Sequence, residues 1–123
     1  MRSASIALLL LLAAACSSPT SVSDGDLSVR RHPGNLELRN ASSMPLSYFV
    51  VERETGAAVL DWRPCTGPRC PTVDPYAAVS VADSAILGFT ASAREAIVFW
   101  WRAVADSTAL VPARSIHSVV APL

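Results

Sequence analysis

Residues 92–105 read SAREAIVFWWRAVA, and the fold turns on whether this stretch is a helix or a strand. Ser92 and Glu95 are spaced as a helix capping box, with alanines around them. Against a helix stand Ile97, Val98, Phe99, Trp100 and Trp101. Residues of these types lose side-chain freedom in a helix and fit a pleated surface. The stretch is therefore read as a strand. Alternation along it puts Ile97, Phe99 and Trp101 on one face and Val98, Trp100 and Arg102 on the other. A buried guanidinium without a partner is costly, so Arg102 marks the wetter face. On that reading Trp101 is core. Trp100 and Arg102 become the candidate partner-binding pair, because Trp and Arg are frequent among interface hot spots.

The same period of two recurs outward from this strand. Leu36 and Leu38 oppose Glu37 and Arg39, and Val79 and Val81 oppose Ser80 and Ala82. Short apolar stretches fall at 27–31, 36–40, 46–52, 58–62, 77–82, 86–89, 96–104 and 115–120, with the prolines from Pro33 onward between them or at their edges. Proline cannot donate to a sheet ladder, so this placement suits many short strands. Pro33-Gly34 supplies one turn. Glu54-Thr55-Gly56, lying between two strand-like runs, is read as a hairpin. Residues 27–123 are thus expected to fold as an all-β, antiparallel β-sandwich of about seven strands. The arrangement resembles immunoglobulin-like domains in architecture alone, since the chain lacks their Cys and Trp spacing.

A chain of 123 residues holds one domain of ordinary size. Formal charge is zero, from ten basic and ten acidic residues, and no basic patch suited to nucleic acid stands out. Every basic residue is Arg, which leaves no lysine for Schiff-base chemistry.

The N-terminus carries its own signal. Met1-Arg2-Ser3 gives a positive start, residues 6–12 an apolar core, and Ala13-Ala14-Ala15 small residues directly before Cys16. An apolar run of about ten residues is too short to span a bilayer, which takes roughly 20. The pattern resembles the lipobox of bacterial lipoproteins, with Ala13 where leucine is commonest. That resemblance implies a signal peptide over 1–15, a cut before Cys16, and diacylation of Cys16 as membrane anchor. It also implies a cell-envelope location, and Ser17 rather than Asp after the cysteine implies the outer membrane in a Gram-negative host. Residues 16–26, rich in Ser with Pro and Gly, are read as a flexible tether.

With Cys16 assigned to lipid, Cys65 and Cys70 remain as an even pair across a Gly-Pro loop, and a disulfide is expected outside the cytoplasm. A zinc site would need His32 and His117 as further ligands, and both are read as surface or half-buried residues instead. There is no G-x-S-x-G and no glycine-rich phosphate loop. Glu52 and Glu54 are read as a solvated strand end, and Asn40-Ala41-Ser42, although a glycosylation sequon, as a turn. Neither metal nor cofactor is expected. The chain is expected to be a non-catalytic interaction module for an envelope protein or a wall polymer. The alternative is an inhibitor of a secreted hydrolase acting through a projecting loop at 64–71.

Overall fold

The computed structural model describes residues 21–58 and 61–123; the leader, Cys16 and the first part of the tether lie outside the described residues. Eight strands run in order: β1 (Ser21–Asp24), β2 (Leu27–His32), β3 (Asn35–Asn40), β4 (Leu46–Glu52), β5 (Thr72–Val73), β6 (Ala78–Ala82), β7 (Glu95–Arg102) and β8 (His117–Pro122). A short helix, α1 (Arg53–Ala58), follows β4. The strands form two four-stranded sheets, in orders β1-β2-β3-β6 and β5-β4-β7-β8, with every neighbouring pair antiparallel. The expected all-β sandwich is what forms. No helix among the described residues is long and apolar enough to cross a membrane.

Alternation decides which side chains meet between the sheets. In the first sheet Val29 lies opposite Leu38 and Leu36 opposite Val81, and all four are buried. Arg30, Glu37, Arg39 and Ser80 point outward. The second sheet contributes Leu46, Val50, Val98, Trp100 and Ala121 to the same core. Pro33-Gly34 makes the turn expected of it, with Gly34 at φ 82° joining β2 to β3.

The second sheet is buried on both faces, and this reverses the sequence assignment within β7. Trp100 belongs to the core between the sheets and is 3% exposed. Trp101 is buried on the opposite, outer face. There Trp62 stacks over Phe49, Phe99 and Trp101 at ring-centroid distances of 5.0, 4.8 and 5.8 Å. Arg102 shares the Trp100 side, as the alternation required, but it is the last residue of β7 and reaches solvent past the end of the core. One exposed residue at a strand end therefore says little about the face four residues deep. Five consecutive apolar residues are what a strand covered on both sides needs.

Three further expectations are corrected. The tether does not run to residue 26, because Ser21–Asp24 is strand β1. Val22 lies opposite Val29 and packs on the core, and a single inward valine among polar residues is too faint a pattern to read as a strand. The hairpin at Glu54-Thr55-Gly56 is instead α1. The Glu52 carboxylate accepts hydrogen bonds from the Glu54 and Thr55 backbone amides at 3.0 and 2.8 Å, and from the Thr55 hydroxyl at 3.0 Å. It thereby caps the helix start, as a side-chain oxygen at that place does. β4 pairs with β5 and β7, and of the expected stretch 58–62 residues 59 and 60 lie outside the described residues. Residues 86–89 form no strand beyond an isolated bridge from Leu87 to Val51, and β5, too short to show a period, takes the edge of the second sheet.

Two carboxylates link this architecture to pH. The backbone amides of Glu54 and Thr55 hold Glu52 below the usual carboxylate range, and the Arg31 guanidinium holds Asp83 below it. Arg31 and Asp83 meet in a two-bonded pair, with Arg31 Nη2 donating to Asp83 Oδ2 at 2.9 Å. A lowered folded-state pKa means the stabilisation is present above the unfolded value, near 4, and is lost as pH falls through the folded value. The melting temperature is expected to drop as pH falls below about 4, and Glu52→Gln and Asp83→Asn should each flatten that limb in thermal scans.

Candidate functional site

One end of the sandwich gathers the β1–β2 turn, the 41–45 loop, the 74–77 loop and the long linker 103–116. Backbone hydrogen bonds stitch these segments into one surface: Ala41 to Asp26 at 2.8 Å, Tyr76 to Ser42 at 3.2 Å, and Ala103 to Pro45 at 3.0 Å. β1 runs away from this surface, Asp24 pairing with Leu27 beside the turn and Ser21 with Arg30 further along β2.

A cleft of about 610 Å³ opens at this surface, lined among others by Gly25, Trp100, Arg102, Val111, Arg114 and His117. The register of β7 and β8 sets Trp100 directly opposite His117, and their rings stack at 4.2 Å with 15° between planes. His117 Nδ1 stands 3.8 Å from Asp24 Oδ2. Gly25 turns the chain from β1 to β2 at φ 54°, and a Cβ there would meet the Trp100 ring at 3.4 Å. Trp100 Nε1 is buried without a hydrogen-bond partner among the described residues. Arg102 and Arg114 are exposed, and among the described residues neither forms an ion pair.

The disulfide loop supports the linker that walls this cleft. Cys65 and Cys70 are joined, with Cα atoms 5.7 Å apart. Gly67 N donates to Val104 O at 2.7 Å, Thr66 Oγ1 to Ser107 O at 3.2 Å, and Trp101 Nε1 to Cys65 O at 3.1 Å. A Cβ on Gly67 would stand 2.9 Å from that of Ser107, so glycine is needed for the close approach. The loop lies against 104–107 instead of projecting freely.

Three of the five exposed large apolar side chains among the described residues are on the same end, Leu87 and Val120 lying elsewhere. Tyr76 is 69% exposed and holds a left-handed φ of 56°, and Met44 and Leu110 are 46% and 85% exposed. A non-glycine residue in that region costs energy and persists only where its surroundings impose it. A second cleft, at the opposite end of the sandwich, is lined by Glu52, Arg53, Thr55 and Glu95 among others. Its groups partner one another: Arg53 pairs with Glu95 at 2.9 Å, and Glu52 caps α1.

Of the residues singled out in the sequence, the structure brings Trp100 and Arg102 to one cleft, with Trp100 as its covered wall and Arg102 at its open side. Cys16 lies outside the described residues. Glu52 and Glu54 form no carboxylate pair, since Glu52 caps the helix and Glu54 is exposed within it. His117, Arg114 and Tyr76 were not singled out as site residues. Only the pairing of β8 with β7 and the course of the linker place them here. Among the described residues, no three His, Cys, Asp or Glu side chains gather as a metal site. No protein-family model, curated protein or solved structure matches the chain.

Proposed function

We propose that this chain is a lipid-anchored cell-envelope protein whose sandwich is a non-catalytic interaction module, binding an envelope partner through the end that carries the cleft. The observation that carries this reading is the gathering of Tyr76, Met44 and Leu110, three of the five exposed large apolar side chains among the described residues, with the cleft at one end of the sandwich. Exposed apolar side chains grouped beside a concave site mark a binding surface more than scattered ones do. The five residue steps from Cys16 to Ser21 span at most roughly 18 Å. An acyl anchor on Cys16 then keeps the start of β1 within roughly 18 Å of the bilayer. The leader supports the anchor: a charged start, a short apolar run and three alanines precede Cys16. Inhibition of a secreted hydrolase would call on the 64–71 loop, and that loop is engaged in bracing the linker.

Mass analysis of the protein extracted from membranes is expected to find acyl mass on an N-terminal Cys16; an unmodified cysteine or an intact leader would sink the anchor. A photo-crosslinking residue at Leu110 should capture an envelope component that the same probe at Arg30, on the outer face of the first sheet, does not. Equal capture from both positions would remove the cleft end as the binding end.

A further inference from the structure

The geometry points to a carboxylate-bearing peptide as the ligand of the cleft, its carboxylate held by Arg102 and Arg114 and its neighbouring apolar side chain lodged against Val104, Val111 and Pro112. This rests on the reading of that end as the binding end and names its ligand chemistry. The cleft lining carries two guanidinium groups against one carboxylate, Asp26, on a chain whose formal charge is zero. Within the lining the excess is thus positive, with Asp24 just outside it beside His117, and neither guanidinium is in an ion pair among the described residues. Among the other described arginines, Arg31, Arg39 and Arg53 have a carboxylate within 4.0 Å and Arg30, Arg63, Arg69 and Arg94 have none; Arg102 and Arg114 differ from these in lining this cleft together. Guanidinium forks match carboxylates in shape as well as charge.

The walls argue for a peptide over a glycan. Sugar rings and nucleobases bind on open aromatic faces, and here the Trp100 ring is 3% exposed, covered on one side by His117. Besides Ser115 and the half-exposed His117 ring, the wall beside the two arginines is aliphatic: Val104, Val111 and the Pro112 ring. A carboxylate next to an apolar side chain is what the C-terminus of a polypeptide presents, and equally what an acidic residue beside an apolar one presents. Both share the chemistry the cleft offers.

Calorimetric titration of the full chain in detergent tests this with three probes. They are an acetylated tetra-alanine peptide ending in leucine with a free carboxylate, its C-terminal amide, and the amide carrying a glutamate before the leucine. The first is expected to bind and its amide to bind at least about tenfold more weakly, the ratio worth one charge-assisted contact. Recovery by the third assigns an acidic side chain as an equally good source; no recovery assigns the C-terminus. Arg102→Gln and Arg114→Gln should each weaken the acid form about tenfold and shrink its advantage over the amide, while Arg30→Gln leaves both unchanged. All three arginines are exposed, so each variant should keep the wild-type melting temperature.

Equal affinity for acid and amide, or unchanged binding in the Arg102 and Arg114 variants, overturns the assignment. Failure of every peptide together with Arg102-dependent binding of polygalacturonate also overturns it, in favour of an acidic glycan. If crosslinking from Leu110 persists while no probe binds, the ligand class fails and the binding end stands; if both fail, the binding end itself fails.

Discussion

Trp100→Ala is expected to lower the free energy of unfolding by about 3–5 kcal/mol, the range for removing a large buried aromatic. The ring fills the core between the sheets at the point where Gly25 and His117 close over it, and it is 3% exposed. Its loss empties a space bounded by a glycine turn that cannot refill it. Trp101→Ala should fall in the same range for a different reason, because Trp101 supports Trp62 on the outer face and holds the disulfide loop through Cys65 O. Phenylalanine substitutions separate the two. Trp101→Phe removes a hydrogen bond and strands the Cys65 carbonyl, adding about 1 kcal/mol to the loss of ring volume. Trp100→Phe removes no hydrogen bond to another described residue, so its cost is volume alone. Urea titrations measure all four. A Trp100→Ala protein with the wild-type midpoint would mean that the ring is not core, and that Trp100 is a contact residue after all.

The two tryptophans also show where sequence reading reaches its limit. A strand at 95–102 was legible, because five β-branched or aromatic residues in a row outweigh a capping box. The sidedness was not, because it was inferred from Arg102 alone. A strand covered on both faces has no polar face to reveal its orientation, and the cover on the outer face comes from Trp62 and α1, elements with no periodic pattern. The sandwich as a class was legible in the alternation of 36–39 and 79–82 and in the placement of the prolines. β1 and β5 were not legible, since a four-residue and a two-residue strand carry no usable period. For the candidate site, Trp100 and Arg102 were found for a reason the structure corrects. His117 and Arg114 needed the β7–β8 register and the fold-back of the linker, both tertiary facts. The disulfide was legible from counting cysteines once Cys16 was set aside, but its role in bracing the cleft wall depends on the contacts with 104–107.

Asn40 carries the second large effect. It is fully buried at the end of β3, and its side chain is hydrogen-bonded throughout. The amide donates to Met44 O at 2.7 Å, Val73 O at 3.1 Å and Asp74 O at 3.3 Å, while Oδ1 accepts from Ser42 N at 2.8 Å and Ser42 Oγ at 2.7 Å. One side chain thus ties the 41–45 loop to the segment leading from β5 to Tyr76. The sequon that Asn40 begins is therefore a turn device, with its amide nitrogen engaged inside the fold. Asn40→Ala leaves a buried carbonyl at Val73 and weakens two loops, and should cost about 2–4 kcal/mol. Asn40→Asp is the sharper test. It keeps an acceptor for Ser42 but turns a carboxylate toward the carbonyl oxygens of Met44, Val73 and Asp74. The charged form is disfavoured in the fold, so the introduced carboxyl should titrate above its unfolded value, near 4. The sign is then opposite to that of Glu52 and Asp83: the deficit is smallest below about pH 4 and grows as pH rises toward the folded-state value. Denaturation midpoints of wild type and Asn40→Asp should draw together at pH 3 and separate at pH 7. A gap independent of pH would mean that the introduced carboxylate escapes the carbonyls, and that Asn40 does not hold the Tyr76 loop to the cleft end.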